Sequence, residues 1–336
     1  MPLHYCQKAE DTLILAHVMT RHGHRTTDMD FMFPTYTFNE SSFYPYGPGE
    51  LTLKGKKEMV KVGKALRERY CDFLGACYQD GLVEAVSSEY KRTMMSIQSV
   101  LAGLFIPSND CELKGNLSWQ PVPFKYIPKF KDKFTAVHKS CPKVLEVQAK
   151  MDDDEKDLYK YISKHTGLNV TTSFHTFFLY WSLENLNDLG FEVPKWSIPI
   201  WKQLQEKHST QFYIDLIEQN LKMLTGSLMV KIHEDSQKKI KNMFKPKMVI
   251  YSGHDINIVG LLGACGIFKR DVVNFGSYVI IELHKIEANY YVKVIYENYK
   301  FNKPEVMVLP KCSEFCEFEK FVAITKKVYP NENWCS

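Results

Sequence analysis

Positions 18–30 read VMTRHGHRTTDMD, with His22 and His24 one residue apart between Arg21 and Arg25. Two later stretches carry matching chemistry: SSEYKR, which ends on Arg92, and SGHD, which holds His254 and Asp255. An H-x-H pair joined by another His and an Asp is a plausible ligand set for a divalent metal. Three permanent cations would oppose that ion, by several kcal/mol at ~5 Å and an effective dielectric near ~20. An anion suits the same set better. Guanidinium groups bind phosphate oxygens bidentately and keep their proton. Surrounding cations also depress the pKa of an imidazole, which keeps it neutral and nucleophilic in mild acid. A helix beginning just after Gly23 would add its N–H groups and dipole, and Gly23 would allow close approach of backbone to phosphate. On this reading one histidine attacks and the arginines hold its target, with no metal and no cofactor.

The elements that must position these residues are legible around them. Residues 12–19 form a β-branched and aliphatic run that reads as a buried strand, and RHGHR follows it directly. LVEAVSS (82–88) reads as a second strand leading to Arg92, and KMVIYSGHD (247–255) as a third. In an open α/β sheet, ligands bind beyond the carboxyl ends of strands, so three such ends can share one crevice. Between them, apolar residues at helical spacing from about Thr52 to Tyr78 predict one helix, and RTMMSIQSVLAGLF (92–105) predicts another that Pro107 helps to stop. SYVIIELHK (277–285) and YYVKVIYEN (290–298) resemble an antiparallel pair. FMFPTYTFNESSFYPYGPGELT reads as a long surface loop, and residues ~109–245 as mostly helical. The expectation is an α/β fold with a mixed, mainly parallel sheet flanked by helices. Residues 1–108 and 246–336 would form the α/β domain, and 109–245 a smaller helical insertion.

Composition narrows the class. The chain has 336 residues, 45% hydrophobic, and a formal net charge of +4. No long basic block occurs, so nucleic acid is not the expected partner, while a small anionic ligand is. No run approaches ~18 apolar residues, so no membrane span is expected. Nine cysteines match no paired zinc spacing. With sequons at Asn39, Asn116 and Asn169, they favour an oxidising, secretory route and an extracellular protein. MPLHYCQKAED lacks the apolar core of a signal peptide, so the start reads as a mature or recombinant terminus with Met1 added.

The three polar stretches also carry a resemblance. RHGHRTT resembles the R-H-G-x-R-x-P signature of the histidine acid phosphatases (branch 2 of the histidine phosphatases), SGHD their His-Asp motif, and SSEYKRTMMS their intermediate arginine motif. GELTLKGKKEMVKVGKALRERYCDFLG resembles the family's G-x-L-T segment and the helix after it. The similarity spans essentially the whole chain and runs nearest to secreted insect members of the kind found in venom and saliva. It implies His22 as nucleophile through a phosphohistidine, with Arg21, Arg25, Arg92 and His254 holding the transferred group. It implies Asp255 as proton donor to the leaving oxygen, a helical insertion over the active site, and disulfides Cys312–Cys316 and Cys141–Cys335. Cys6, Cys71, Cys77, Cys111 and Cys265 receive no assignment; apolar neighbours suit Cys71 and Cys265 to be buried thiols.

Departures leave a second reading open. Thr27 stands where the signature has Pro, and Glu89 and Lys91 occupy positions where relatives often carry acidic residues. His24 fills the variable position and could contact substrate. Taken alone, His254 and Arg92 could be structural, His17 reads as a satisfied core histidine, and the aromatics of FHTFFLYWSLENL read as core, some possible at the site's mouth. The expected function is a secreted acid phosphatase acting on phosphate monoesters. The alternative is a catalytically weak or inactive phosphatase-like protein that binds host small molecules such as biogenic amines or lipids.

Overall fold

The computed structural model describes residues 10–29, 32–36, 39–107, 111, 119–149, 155–215, 218–269, 271–299, 303–331 and 335. Its first strand, β1 (Leu13–Arg21), is followed by helix α1 (Leu53–Leu74), strand β2 (Val83–Ser88), helix α2 (Lys91–Leu104) and the short edge strand β3 (Lys125–Ile127). Seven helices come next: α3 (Val137–Ser140), α4 (Pro142–Ala149), α5 (Lys156–Thr166), α6 (Ser173–Asp188), α7 (Trp201–Asp215), α8 (Glu218–Leu224) and α9 (Gly226–Ile240). The chain then returns to the sheet with β4 (Met248–Gly253), α10 (Asp255–Ala264), β5 (Tyr278–Ile286), β6 (Asn289–Glu297), β7 (Glu305–Met307), β8 (Cys316–Glu317) and α11 (Phe318–Thr325).

Strand order is β3-β2-β4-β1-β5-β6-β7, with β8 beside β6. The first four are parallel and the remainder antiparallel. β1 shows why its sequence is apolar at nearly every position. Leu15 and Met19 enter the core on one face of the sheet, and Leu13, Ala16 and Val18 enter the core on the other. With both faces covered, a strand has no solvent side to make polar.

The fold places β4 between β1 and β2, so three carboxyl ends lie side by side. Register brings Arg21 opposite Gly253 and Ser87 opposite Ser252, and the His22 N–H donates to the Gly253 carbonyl at 3.0 Å. The chemistry-bearing ends of three distant segments are thereby level with one another.

Several local expectations change. No helix begins after Gly23: residues 22–24 have no regular secondary structure, and helix α1 starts at Leu53 with Thr52 as its cap, Oγ1 accepting from Gly55 N–H at 3.1 Å. Gly23 faces that helix: a Cβ on it would sit 2.5 Å from the Gly55 carbonyl oxygen, and a Cβ on Gly55 would sit 2.1 Å from the His24 carbonyl oxygen. The two glycines let loop and helix touch, which the sequence could not distinguish from room for a ligand. The loop after His24 is not wholly superficial either, since Phe33 and Phe43 are 2% exposed. Helix α1 ends at Leu74 because Gly75 takes φ 75°.

Disulfides join Cys141 to Cys335 and Cys312 to Cys316, and also Cys77 to Cys111. Cys71 is disulfide-bonded as well, which corrects its reading as a thiol, because apolar surroundings bury a disulfide as readily. Cys265 is a buried free thiol, its pKa pushed up to about 12 by burial. Asn39 and Asn169 are exposed; Cys6 and Asn116 lie outside the described residues. No helix among the described residues is long and apolar enough to cross a membrane.

Candidate active site

His22 follows the last residue of β1 and is 1% exposed. Its Nδ1 lies 2.9 Å from the Gly23 carbonyl oxygen. A carbonyl only accepts, so this nitrogen carries the proton and the lone pair is on Nε2. Burial holds the His22 pKa well below 6.5, and Arg92, His254, Arg21 and Arg25 push in the same direction. The sequence argument credited the cations; desolvation is the larger cause. The ring is therefore neutral under mildly acidic conditions.

The arginines come from three segments. Arg21 ends β1, Arg25 follows on the loop, and Arg92 sits in the first turn of α2. Arg21 Nη2 is 3.2 Å from Asp255 Oδ2, and its Nη1 donates to the Val273 carbonyl. Arg25 Nη1 is 2.9 Å from Asp28 Oδ2 and donates to the Thr26 carbonyl at 2.8 Å. Arg92 Nη1 reaches the Gly49 carbonyl at 3.5 Å. Among the described residues no hydrogen-bond acceptor meets Nε of Arg21, Arg25 or Arg92. Buried charged donors in that state are costly unless an anion completes them.

His254 and Asp255 lie at the start of α10. The His254 N–H donates to Asn257 Oδ1 at 2.8 Å, and its ring lies edge-on to His22 with centroids 5.4 Å apart. Its Nε2 is 3.4 Å from Ser88 Oγ at the end of β2. Burial, then Arg92, keeps the His254 pKa well below 6.5. The structure thus brings all six core residues named from sequence into one cluster.

His24 is placed differently. Its Nδ1 is 2.8 Å from Thr52 Oγ1 and its Nε2 3.6 Å from Asp188 Oδ2, and burial lowers its pKa to about 4. Thr27 is buried, with its hydroxyl donating to the Ser182 carbonyl of α6 at 3.5 Å. The residue that departs from the signature therefore ties the loop to a helix, which a proline there could not do. Lys91 is exposed and faces Glu50 at 3.7 Å, while Glu89 accepts from the Lys129 N–H.

Two aromatic residues cover the guanidiniums: one from the α6 stretch whose aromatics read as core with some possible at the site's mouth, and one with no signal in the sequence. Trp181, from the helix read as core, lies over both Arg21 (4.7 Å) and Arg25 (4.6 Å). Phe275 lies 4.1 Å from the Arg21 guanidinium carbon and packs beside His22 and His24. Such rings attract the cations and exclude water from them. Tyr90 contacts both Arg92 and His254, its hydroxyl 3.2 Å from His138 Nε2. No periodicity marks these residues: Trp181 and Phe275 lie in other segments, and Tyr90 stands within the polar SSEYKR stretch.

A neutral histidine thus sits among buried guanidiniums. The sequence model of the histidine phosphatase superfamily (branch 2) matches residues 12–194 and 198–297. The chain belongs to this superfamily. A venom acid phosphatase of Apis mellifera is 32% identical over 334 residues, covering 94% of this chain and 84% of the relative. A lysosomal acid phosphatase of Bos taurus is 26% identical, covering 96% and 79%. Among solved structures, apo Hafnia alvei phytase superimposes with a TM-score of 0.68 at 16% identity, covering 97% of this chain and 98% of that one. At that identity the phytase supports the histidine phosphatase fold alone.

Proposed function

We propose that this histidine phosphatase is an acid phosphatase that hydrolyses phosphate monoesters through a phosphohistidine on His22. The observation that carries the reading is the His22 Nδ1–H bond to the Gly23 carbonyl. It directs the lone pair of a neutral imidazole through Nε2 toward the arginine cluster. Nε2 attacks phosphorus while the bond to the leaving oxygen breaks, and Asp255 supplies the proton that oxygen takes. Water then attacks phosphorus, Asp255 recovers the proton, the N–P bond breaks and inorganic phosphate leaves. Arg21, Arg25, Arg92 and His254 would hold the equatorial oxygens as charge builds in the transition state. Fixed guanidiniums do here what a magnesium ion does at other phosphoryl-transfer sites, so the scheme uses no metal or cofactor.

We place the protein on the secretory route, supported by the disulfides and by exposed Asn39 and Asn169 in their sequons. We also divide the chain into an α/β domain, 1–108 and 246–336, and a helical insertion, 109–245. Contacts of Trp181 with Arg21, and of the Ser182 carbonyl with Thr27 on the site's loop, support the insertion as its cover. The deciding experiment is p-nitrophenyl phosphate turnover across pH 4–7, wild type against His22→Ala. Equal rates would mean a pocket that binds small molecules without turnover, with host amines or lipids the first ligands to titrate.

A further inference from the structure

The segment from Asp271 to Ser277, between α10 and β5, makes two contacts with Arg21 of the phosphoryl site. Its Val273 carbonyl accepts from Arg21 Nη1, and its Phe275 ring covers the Arg21 guanidinium. Toward the sheet the segment is tied by the Arg21 N–H to the Ser277 carbonyl at 2.8 Å and by the Gly276 N–H to the His22 carbonyl at 3.2 Å. Elsewhere it borders a pocket of about 160 Å³ that Asp271, Tyr296 and Asn298 help to line. Val273 anchors the segment in the core, 1% exposed, and hydrogen bonds hold the polar residues around it.

One side chain makes five of those bonds. Asn298, just beyond the end of β6, is 4% exposed. Its Oδ1 accepts from Asn274 Nδ2 at 2.5 Å, from the Asn274 N–H at 3.3 Å and from Ser277 Oγ at 3.3 Å. Its Nδ2 donates to the Val272 carbonyl at 2.9 Å and to Asp271 Oδ2 at 3.1 Å. Both hydrogens and both lone pairs of the amide are engaged, and every partner lies in the one segment. An aspartate would lose both donations, and a leucine every bond.

We propose that Asn298 is a positioning residue for phosphoryl transfer: by bracing residues 271–277 it sets the Val273 carbonyl and the Phe275 ring against Arg21. This rests on the phosphatase reading above. Arg21 needs such help because its guanidinium is buried and its remaining donors must aim at phosphate oxygens. A misplacement of ~1 Å at such a group can cost on the order of a hundredfold in rate.

The test uses the full chain with Asn298→Ala and Asn274→Ala, singly and together. The readouts are KM and kcat on p-nitrophenyl phosphate, Kd for inorganic phosphate by titration calorimetry, and Tm. For Asn298→Ala we expect kcat/KM to fall about tenfold to a hundredfold, with phosphate Kd rising alongside. Asn274→Ala should shift both in the same direction, and the pair should be less than additive because both act through one segment. Leu309→Ala, which truncates the core, supplies the control for lost stability and should leave phosphate Kd within about twofold of wild type. The proposal is overturned if Asn298→Ala keeps its phosphate Kd and kcat/KM, or if Leu309→Ala weakens phosphate equally. Should Asn298→Ala not fold, Asn274→Ala decides by the same criteria. A wild type that binds phosphate without turning over substrate would overturn the phosphatase reading and leave the bracing role to be judged on Kd.

Discussion

Asp255 Oδ2 stands 3.2 Å from Arg21 Nη2, so the proposed proton donor also touches one of the groups that would hold phosphate. Asp255→Asn therefore removes an acid and weakens an ion pair in one step, and leaving groups separate the two effects. Nitrophenolate departs with little help, whereas an alkoxide needs a proton in the transition state. Turnover of an alkyl phosphate should fall at least about tenfold further than that of p-nitrophenyl phosphate. Equal losses for both would assign Asp255 to orienting Arg21, and His24 would be the next proton donor to test.

His22→Ala should lower kcat on aryl phosphates by about 10⁴-fold or more while leaving the chain folded. Because burial keeps His22 neutral well below pH 6.5, wild-type activity should persist at pH ~5 with no acid limb from the nucleophile. A pH profile that collapses between 6.5 and 5.5 would contradict the neutral ring.

Vanadate should inhibit competitively by engaging the guanidiniums of Arg21, Arg25 and Arg92, and EDTA should not reduce activity. Trp181→Ala, which uncovers both Arg21 and Arg25, should weaken vanadate inhibition several-fold as water screens those charges. Activity lost to EDTA and restored by zinc would return His22 and His24 to the metal reading.

Stability should fall as the solution is acidified. Burial holds the pKa of His138, His208 and His233 at about 4, and those of His22 and His254 well below 6.5. The unfolded chain takes up these protons as pH drops through about 6.5, and the folded chain does not, so protonation favours unfolding. Glu282 adds to this at lower pH. Despite its burial, hydrogen bonds from His284, Arg69 and Tyr70, with the Arg69 charge, hold it at about 2, so its stabilisation is lost as pH falls from 4.5 toward 2. Tm should decline from pH 7.5 to 4.5, and inorganic phosphate should offset part of the decline. A Tm that stays flat or rises over that interval would show these histidines to be protonated in the folded chain.

Much of this protein is settled by its sequence alone, for local reasons. A strand buried on both faces must be apolar throughout, so residues 12–19 and 247–251 declared themselves. A polar cluster at the end of such a strand has few structural explanations, and that singled out Arg21, His22, Arg25, Arg92, His254 and Asp255. Only the tertiary structure decided what surrounds them. The sequence treated Gly23 as room for phosphate, and the fold spends it on contact with Gly55. Trp181 and Phe275 reach the site, and Asn298 braces it, from segments far along the chain from Arg21. No spacing rule links an aromatic at 181 to an arginine at 21; the register of β4 beside β1 and the packing of α6 over the loop do. Lowered histidine pKa values have the same origin, because desolvation depends on what covers a ring and not on its sequence neighbours.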